Sequence, residues 1–369
     1  MAWTERYVTT TGAGLHDGTS EANAWDFDEA ITGAAAGHRV NIQAGTYSLS
    51  SVKIISTVGT TTNPVWWRGY NATIGDLDTS YTHADFPYFE FTGPVSQLDC
   101  TGPFNWFSRL RMTCDASGSG AEGVIHIAAP DCRVFYCHLK GTSDDFDCCG
   151  LYLSSSSDRC IVYGNYVEAA TTNPDAIYGS SNANPSMIIG NYVYGGRYGI
   201  YAGSASSWIN NIIQNSGTAG VFIAGTTTPK SIVGNSIYNV PTGIVIETAS
   251  TGVGISGNIF STISGYAIDP ADANNATTAI VSNLYHSCTS GHFRNIFESM
   301  EWGAVDATTS PFVDAAGGNF ALSAAGRQLG FPQTFINLTG TTGYPHLGAV
   351  APDFRAPFFI RGSNSLIGR

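Results

Sequence analysis

Carboxylates, one arginine and a row of aromatic rings are the groups in this chain whose types and spacing can do chemistry. Asp144, Asp145 and Asp147 stand just before the run Gly150-Leu151-Tyr152. Asp175 stands just before Ala176-Ile177-Tyr178, and Arg197 and Tyr198 flank the start of Gly199-Ile200-Tyr201. If these runs stack on one another, their acidic and basic groups fall along one edge. Carboxylates converging this way (Asp144, Asp145, Asp147 and Asp175) make an oxygen-rich site for Ca2+. Asp147, Asp175 and Arg197 then form a candidate catalytic set. In it the arginine neutralises a uronate carboxylate or abstracts the adjacent proton. The competing reading is a solvated polar turn, because Asp before Gly is ordinary turn chemistry.

The aromatic row comes from the same runs. Strand alternation puts Leu151, Ile177, Ile200, Val221 and Ile244 inward, so Tyr152, Tyr178, Tyr201, Phe222 and Val245 face out. Outward aromatics can bind sugars, with apolar ring contacts and polar edges for hydroxyls. Tyr152, Tyr178, Tyr201 and Phe222 are therefore candidate carbohydrate-binding residues. A subunit interface and a loop folded over the face explain the same pattern.

Other residues say less. The eight histidines are scattered, and neither His126 nor His138 has a partner at metal-ligand spacing. The eight cysteines lack paired CxxC spacing, so zinc is not expected. Buried reduced thiols are the default, with disulfides the alternative. A net charge of −12 argues against a nucleic-acid partner and against charge-driven docking on anionic lipid. No apolar run is long enough to span a membrane, and no signal peptide is visible at the start. Only 12% of residues are charged, and 43 are glycine, which suits strands joined by tight turns.

What must position these residues is a repeat. Gly164-Asn165-Tyr166-Val167 returns as Gly190-Asn191-Tyr192-Val193 and Asn210-Asn211-Ile212-Ile213. It returns again as Gly234-Asn235-Ser236-Ile237, Gly257-Asn258-Ile259-Phe260 and Ser282-Asn283-Leu284-Tyr285. The asparagines are 26, 20, 24, 23 and 25 residues apart. Each unit holds two short β-rich runs, too little for a propeller blade or a strand plus a long helix. Coils of a parallel β-helix fit, each strand lying on its counterpart about 4.8 Å along the axis. Residues three before and two after each asparagine are apolar, so the asparagines share their inward parity. Asn165, Asn191, Asn211, Asn235, Asn258 and Asn283 are then expected to form a buried amide ladder.

The stretch Tyr7-Val8, Gly12, Asp17-Gly18-Thr19 and Ala44-Gly45-Thr46-Tyr47 resembles the opening of right-handed β-helix proteins of the pectate-lyase-like superfamily. Pro311-Phe312-Val313-Asp314, Gly318-Asn319-Phe320-Ala321-Leu322 and Leu347-Gly348-Ala349 resemble its C-terminal part. The resemblance covers roughly residues 6–350. It implies an all-β, right-handed, single-stranded parallel β-helix of about nine or ten coils. The expected organisation is an N-terminal cap segment (1–38), with a short helix near Trp25–Ile31, then the β-helix (39–350) and a C-terminal extension (351–369). Such a fold hosts many functions. Three remain open: a glycan-recognising virion protein such as a fibre, decoration or tailspike-like subunit; a Ca2+-dependent lyase of uronic-acid polymers; and a purely structural solenoid. A polysaccharide or surface glycan is the expected partner, with a homotrimer or other virion proteins possible, and a virion or extracellular surface is the expected location. Asn173-Pro174-Asp175-Ala176 is similar to a polygalacturonase motif. The paired carboxylates that inverting hydrolysis needs are not in register beyond Asp147, so a lyase is favoured over a hydrolase. The tail from Asp353 to Ser363, with three phenylalanines, is expected to dock on the chain's own coils or on another subunit.

Overall fold

In the computed structural model the chain winds into three stacked parallel sheets of 12, 11 and 10 strands. The structure describes residues 2–78, 82–92, 97–115, 123–144, 148–180, 186–203, 207–225, 230–247, 250, 252–270, 279–294, 301–323 and 326. Each coil lays one strand on sheet I, the next on sheet II and the third on sheet III. One coil is Ile161–Tyr163, Tyr166–Ala169 and Ile177–Gly179; the next is Met187–Ile189, Tyr192–Gly195 and Tyr198–Ala202. Strands pair with their counterparts one coil away, as in Ile161 with Met187, Tyr166 with Tyr192 and Ile177 with Ile200.

The corner between sheets I and II is set by one residue in the left-handed backbone region. Glycine fills it at Gly164, Gly190, Gly234 and Gly257, with φ between 61° and 66°. Arg109, Tyr136, Asn210 and Ser282 take the same conformation at φ near 55° in other coils. The next residue points inward. In the earlier coils it is Leu110 or Cys137; from Asn165 to Asn283 it is always asparagine. The bend therefore forms without the amide, and the ladder is laid onto it.

Every rung is satisfied. Asn191 Oδ1 accepts from Asn165 N and Asn165 Nδ2, both at 2.9 Å. The same pair of bonds joins Asn191 to Asn211, Asn211 to Asn235, Asn235 to Asn258, and Asn258 to Asn283, at 2.8–3.0 Å. The second amide proton goes to a carbonyl one coil back, as in Asn211 Nδ2 to Ile188 O at 2.9 Å. Two lone pairs and two protons are used, so a fully buried amide carries no unmet polar atom. At the last rung Glu301 accepts from Asn283 Nδ2 at 3.3 Å and from the Tyr285 hydroxyl at 2.7 Å.

Apolar columns flank the ladder. Val162, Ile188, Trp208, Ile232, Ile255 and Ile280 form one, and Val167, Val193, Ile213, Ile237, Phe260 and Tyr285 another, all buried. Helix Phe27–Gly33 packs Phe27 and Ala30 into the core and is started by a reciprocal cap between Asp26 and Glu29. Its Phe27 ring lies 4.7 Å from Phe89 and 6.3 Å from Trp67. The N-terminal segment is not separate from the coils, because Thr4–Val8 is the first strand of sheet I. Beyond the last coil an antiparallel hairpin, Phe312–Asp314 with Asn319–Leu322, folds back over sheet II. Phe312, Phe320 and Leu322 bury Ile212, Ile259 and Leu284 there. The expected extension 351–369 lies outside the described residues.

All eight cysteines are free thiols, and seven are buried. Cys100 and Cys132 stack across coils with sulfurs 3.8 Å apart. Lys230 is the unusual core residue: 2% exposed, it faces inward beside Trp208. Its Nζ donates to Gly203 O at 3.2 Å, and it has no carboxylate partner among the described residues. Burial pushes its amine down to about 8.

Two stability predictions follow from the core. Asn211→Leu strands Asn191 and Asn235, each losing a partner, and is expected to cost about 1–3 kcal/mol per unmet group in thermal or denaturant melts. An unchanged midpoint would place the asparagines on the wrong face. Lys230→Met is expected to raise the melting temperature at neutral pH, by on the order of 1–3 kcal/mol in stability, because it removes an unpaired buried cation. The folded amine titrates near 8 against 10.5 for a free lysine. Wild-type stability should therefore rise as pH increases through that window, and the advantage of the methionine should shrink with it. A pH-independent difference would contradict this account.

Candidate functional site

The outer face of sheet III is one continuous column. In order it reads Ile54, Asp99, His126, Tyr152, Tyr178, Tyr201, Phe222, Val245 and Asp269, each in register with the next. The strands that carry it are held by Leu151, Ile177, Ile200, Val221 and Ile244, all fully buried beneath. The register expected from alternation is the register observed.

The rings are stacked. Tyr152 lies 4.8 Å from Tyr178, Tyr178 lies 4.6 Å from Tyr201, and Tyr201 lies 5.2 Å from Phe222, with planes within 18°. Each ring therefore covers the faces of its neighbours. What the half-buried row offers outward is ring edges and phenol hydroxyls. Tyr198, three residues before Tyr201 on the same strand, adds a ring stacked on Phe222 at 4.5 Å. His126 ends the row edge-on to Tyr152 at 5.0 Å and meets Asp99 at 3.1 Å. At the far end Arg294 meets Asp269 at 3.3 Å. An apolar centre is thus bracketed by two polar pairs, His126 with Asp99 and Arg294 with Asp269.

Asp175 and Arg197 are brought together at the edge of this row. Arg197 Nε and Nη2 donate to the two carboxylate oxygens at 3.2 and 3.1 Å, and Tyr198 N donates at 3.2 Å. Arg197 also lies 4.5 Å over the Tyr198 ring. Asp175 is 2% exposed, and burial outweighs the guanidinium and lifts its carboxyl above the usual range. Arg197 is about a quarter exposed, so the pair presents a guanidinium and hides its carboxylate. Asp144 accepts from the Thr172 hydroxyl at 2.6 Å. Asp145 and Asp147, the remaining members of the expected Ca2+ and catalytic sets, lie outside the described residues. On the opposite flank Glu247 accepts from Gly225 N at 2.8 Å and sets an acidic group near the Tyr198 and Tyr201 phenols.

Sequence reasoning missed Asp99, Asp269, Arg294 and Glu247. The coil register extended past Phe222 would have found Asp269, one residue after the inward Ile268. It also missed a polar cluster on sheet II, where Arg111, His138 and Tyr166 are in register. The asparagine phrase that announces the coils is absent at Arg111 and His138, which follow Leu110 and Cys137.

Residues 111–291 match the family described as "Periplasmic copper-binding protein (NosD)". Among the described residues no group of three or more His, Cys, Asp or Glu is placed to hold a metal ion. No described helix is long and apolar enough to cross a membrane. No curated protein matches the chain in sequence. Among solved structures, pectate lyase Pel9A is similar at 14% identity and a TM-score of 0.66, covering 93% of this chain and 95% of that one. A rhamnogalacturonan lyase is similar at 12% identity and a TM-score of 0.62, covering 84% and 90%. Coil order, register and these end-to-end likenesses show that the chain has the fold of a right-handed parallel β-helix.

Proposed function

We propose that this chain is a glycan-recognising β-helix protein of a virion or other extracellular surface, with the outer face of sheet III as its binding face. The observation that carries this reading is the row Tyr152, Tyr178, Tyr201 and Phe222, bordered by Tyr198, Arg197 and Glu247. Because the rings cover one another, a sugar meets their edges and hydroxyls, not their faces. Phenols, a guanidinium and a carboxylate along an apolar strip suit a hydroxyl-rich, elongated ligand lying across several coils. The similar folds named as lyases of pectate and rhamnogalacturonan support a polysaccharide partner. The net charge of −12 supports a well-solvated surface protein. Self-association, as a trimer or with other virion proteins, has support of its own. The outward positions of sheet I from Ile161 to Val281 hold Tyr163, Met187, Ile189, Ile209 and Val233 and no ionisable group but Tyr163.

A Ca2+-dependent lyase is the second reading, favoured by the Asp175–Arg197 pair at the edge of the row. Its difficulty is that the Asp175 carboxylate is buried and already holds three donors.

Binding to a panel of neutral and uronic-acid polysaccharides, measured by calorimetry, tests the main reading. Tyr178→Ala with Tyr201→Ala is expected to weaken binding of the preferred polymer at least tenfold, roughly the 1–3 kcal/mol that a few lost contacts represent. Tyr201→Phe, which keeps the ring and removes the hydroxyl, is expected to weaken it several-fold. No binding by the wild type, or equal binding by the double variant, would overturn the proposal. Release of unsaturated products from a uronic-acid polymer with Ca2+, absent with a chelator and in Asp175→Ala, would instead establish the lyase.

A further inference from the structure

The outer face of sheet II carries an unfinished polar cluster, away from the aromatic row. Tyr88, Arg111, His138, Tyr166 and Tyr192 follow one another in register. Beside them run Glu90, Thr113, Lys140, Glu168 and Tyr194. The short turn His83–Asp85 folds over this face. It brings the His83 ring to 4.7 Å from the His138 ring and 5.4 Å from the Tyr166 ring.

One half of the cluster is complete. Glu168 meets His138 Nε2 at 3.3 Å and Lys140 Nζ at 2.8 Å. Burial opposes its ionisation, yet hydrogen bonds from His138 and Lys140 bring the carboxyl down to about 2.

The other half lacks something. Arg111 lies 4.4 Å over the Tyr88 ring and forms no ion pair with a described residue, Glu90 included. Its Nε is buried with no hydrogen-bond partner. His138 Nδ1, on the register partner one coil away, is also buried with no partner. Two adjacent buried nitrogens left unmet point to a missing third group. The local field has a sign as well. His83 is pushed down to about 4 by burial, then by His138 and Arg111, with only Glu168 opposing.

We propose that Arg111 and His138, register partners one coil apart, together bind an oxyanion, a carboxylate or sulfate group of the kind acidic polysaccharides carry. Arg111 Nε–H donates to it as a charge-assisted hydrogen bond. His138 turns Nε2 to Glu168, which leaves Nδ1 to donate whenever the ring holds its second proton. The His83 ring packs against the His138 ring on this face.

Thermal melts at about pH 6, where imidazoles gain protons, test this. The probes are sodium sulfate and sodium galacturonate, set against sodium chloride at equal ionic strength and against neutral galactose. A saturable rise in melting temperature with sulfate or galacturonate beyond both controls is expected, by mass action. Arg111→Gln should weaken that effect at least tenfold. Because this variant can also disturb packing, the His138 ring resonances of the wild type are followed by NMR in the same titrations and should move saturably. A response to galacturonate alone assigns a sugar carboxylate; a response to both assigns oxyanions in general. No anion-specific rise in the wild type, or the same rise in Arg111→Gln, overturns the site. Sulfate carries no sugar, so a rise with sulfate that is lost in Arg111→Gln stands or falls independently of the sheet III reading.

Discussion

An amide buried without partners is costly, and in this molecule the group that satisfies each buried asparagine is another asparagine one coil away. That requirement fixes a great deal. It holds the coils in one register from Asn165 to Asn283 despite spacings that vary from 20 to 26 residues. Coils of unequal length absorb their differences in the loops, because the rung positions cannot move. Once register is fixed, like stacks on like throughout. The apolar columns, the tyrosine stack and the paired polar columns are all consequences of the same alignment.

The three outer faces then take different characters. Sheet I presents an uncharged strip of aliphatic residues and serines beyond Phe135, and its first coils are covered by Trp3, packed 5.6 Å from Trp66 and 6.0 Å from Trp106. Sheet II is covered twice by the chain itself, by the His83 turn at one end and by the Phe320 hairpin at the other. Sheet III keeps its aromatic strip uncovered by either segment. Stacking also imposes a limit on that strip. Rings spaced by a coil are close enough to hide each other's faces, so a ladder of aromatics on a β-helix is first a packing device. Recognition has to come from its edges and from the polar residues alongside.

The fold was legible because one phrase repeats. The ladder, the inward columns around it, the outward position of Tyr152, Tyr178, Tyr201 and Phe222, and the helix started by Asp26 all follow from pattern and local chemistry. The earlier coils were harder to read, because Leu110 and Cys137 occupy the rung positions while Arg109 and Tyr136 make the bend that glycine makes later. Side-chain pairing was less legible still. Adjacency of Asp175 and Arg197 could be read from the register. That the arginine would close over the aspartate and bury it depends on rotamers and on the Tyr198 ring, which no spacing reveals. The sheet II cluster needed both the register of coils without asparagine and the path of a distant turn.

The hairpin has a geometric result for the molecule as a whole. Phe320 packs edge-on to both Tyr192 and Tyr238, rings that belong to coils wound well before the last one. The chain has therefore travelled back along the rod by the time it reaches Ser323. A parallel solenoid built one coil at a time would otherwise release its chain at the tip. Here the chain at Ser323 lies beside the rod, so a neighbour linked through that region would meet it side-on.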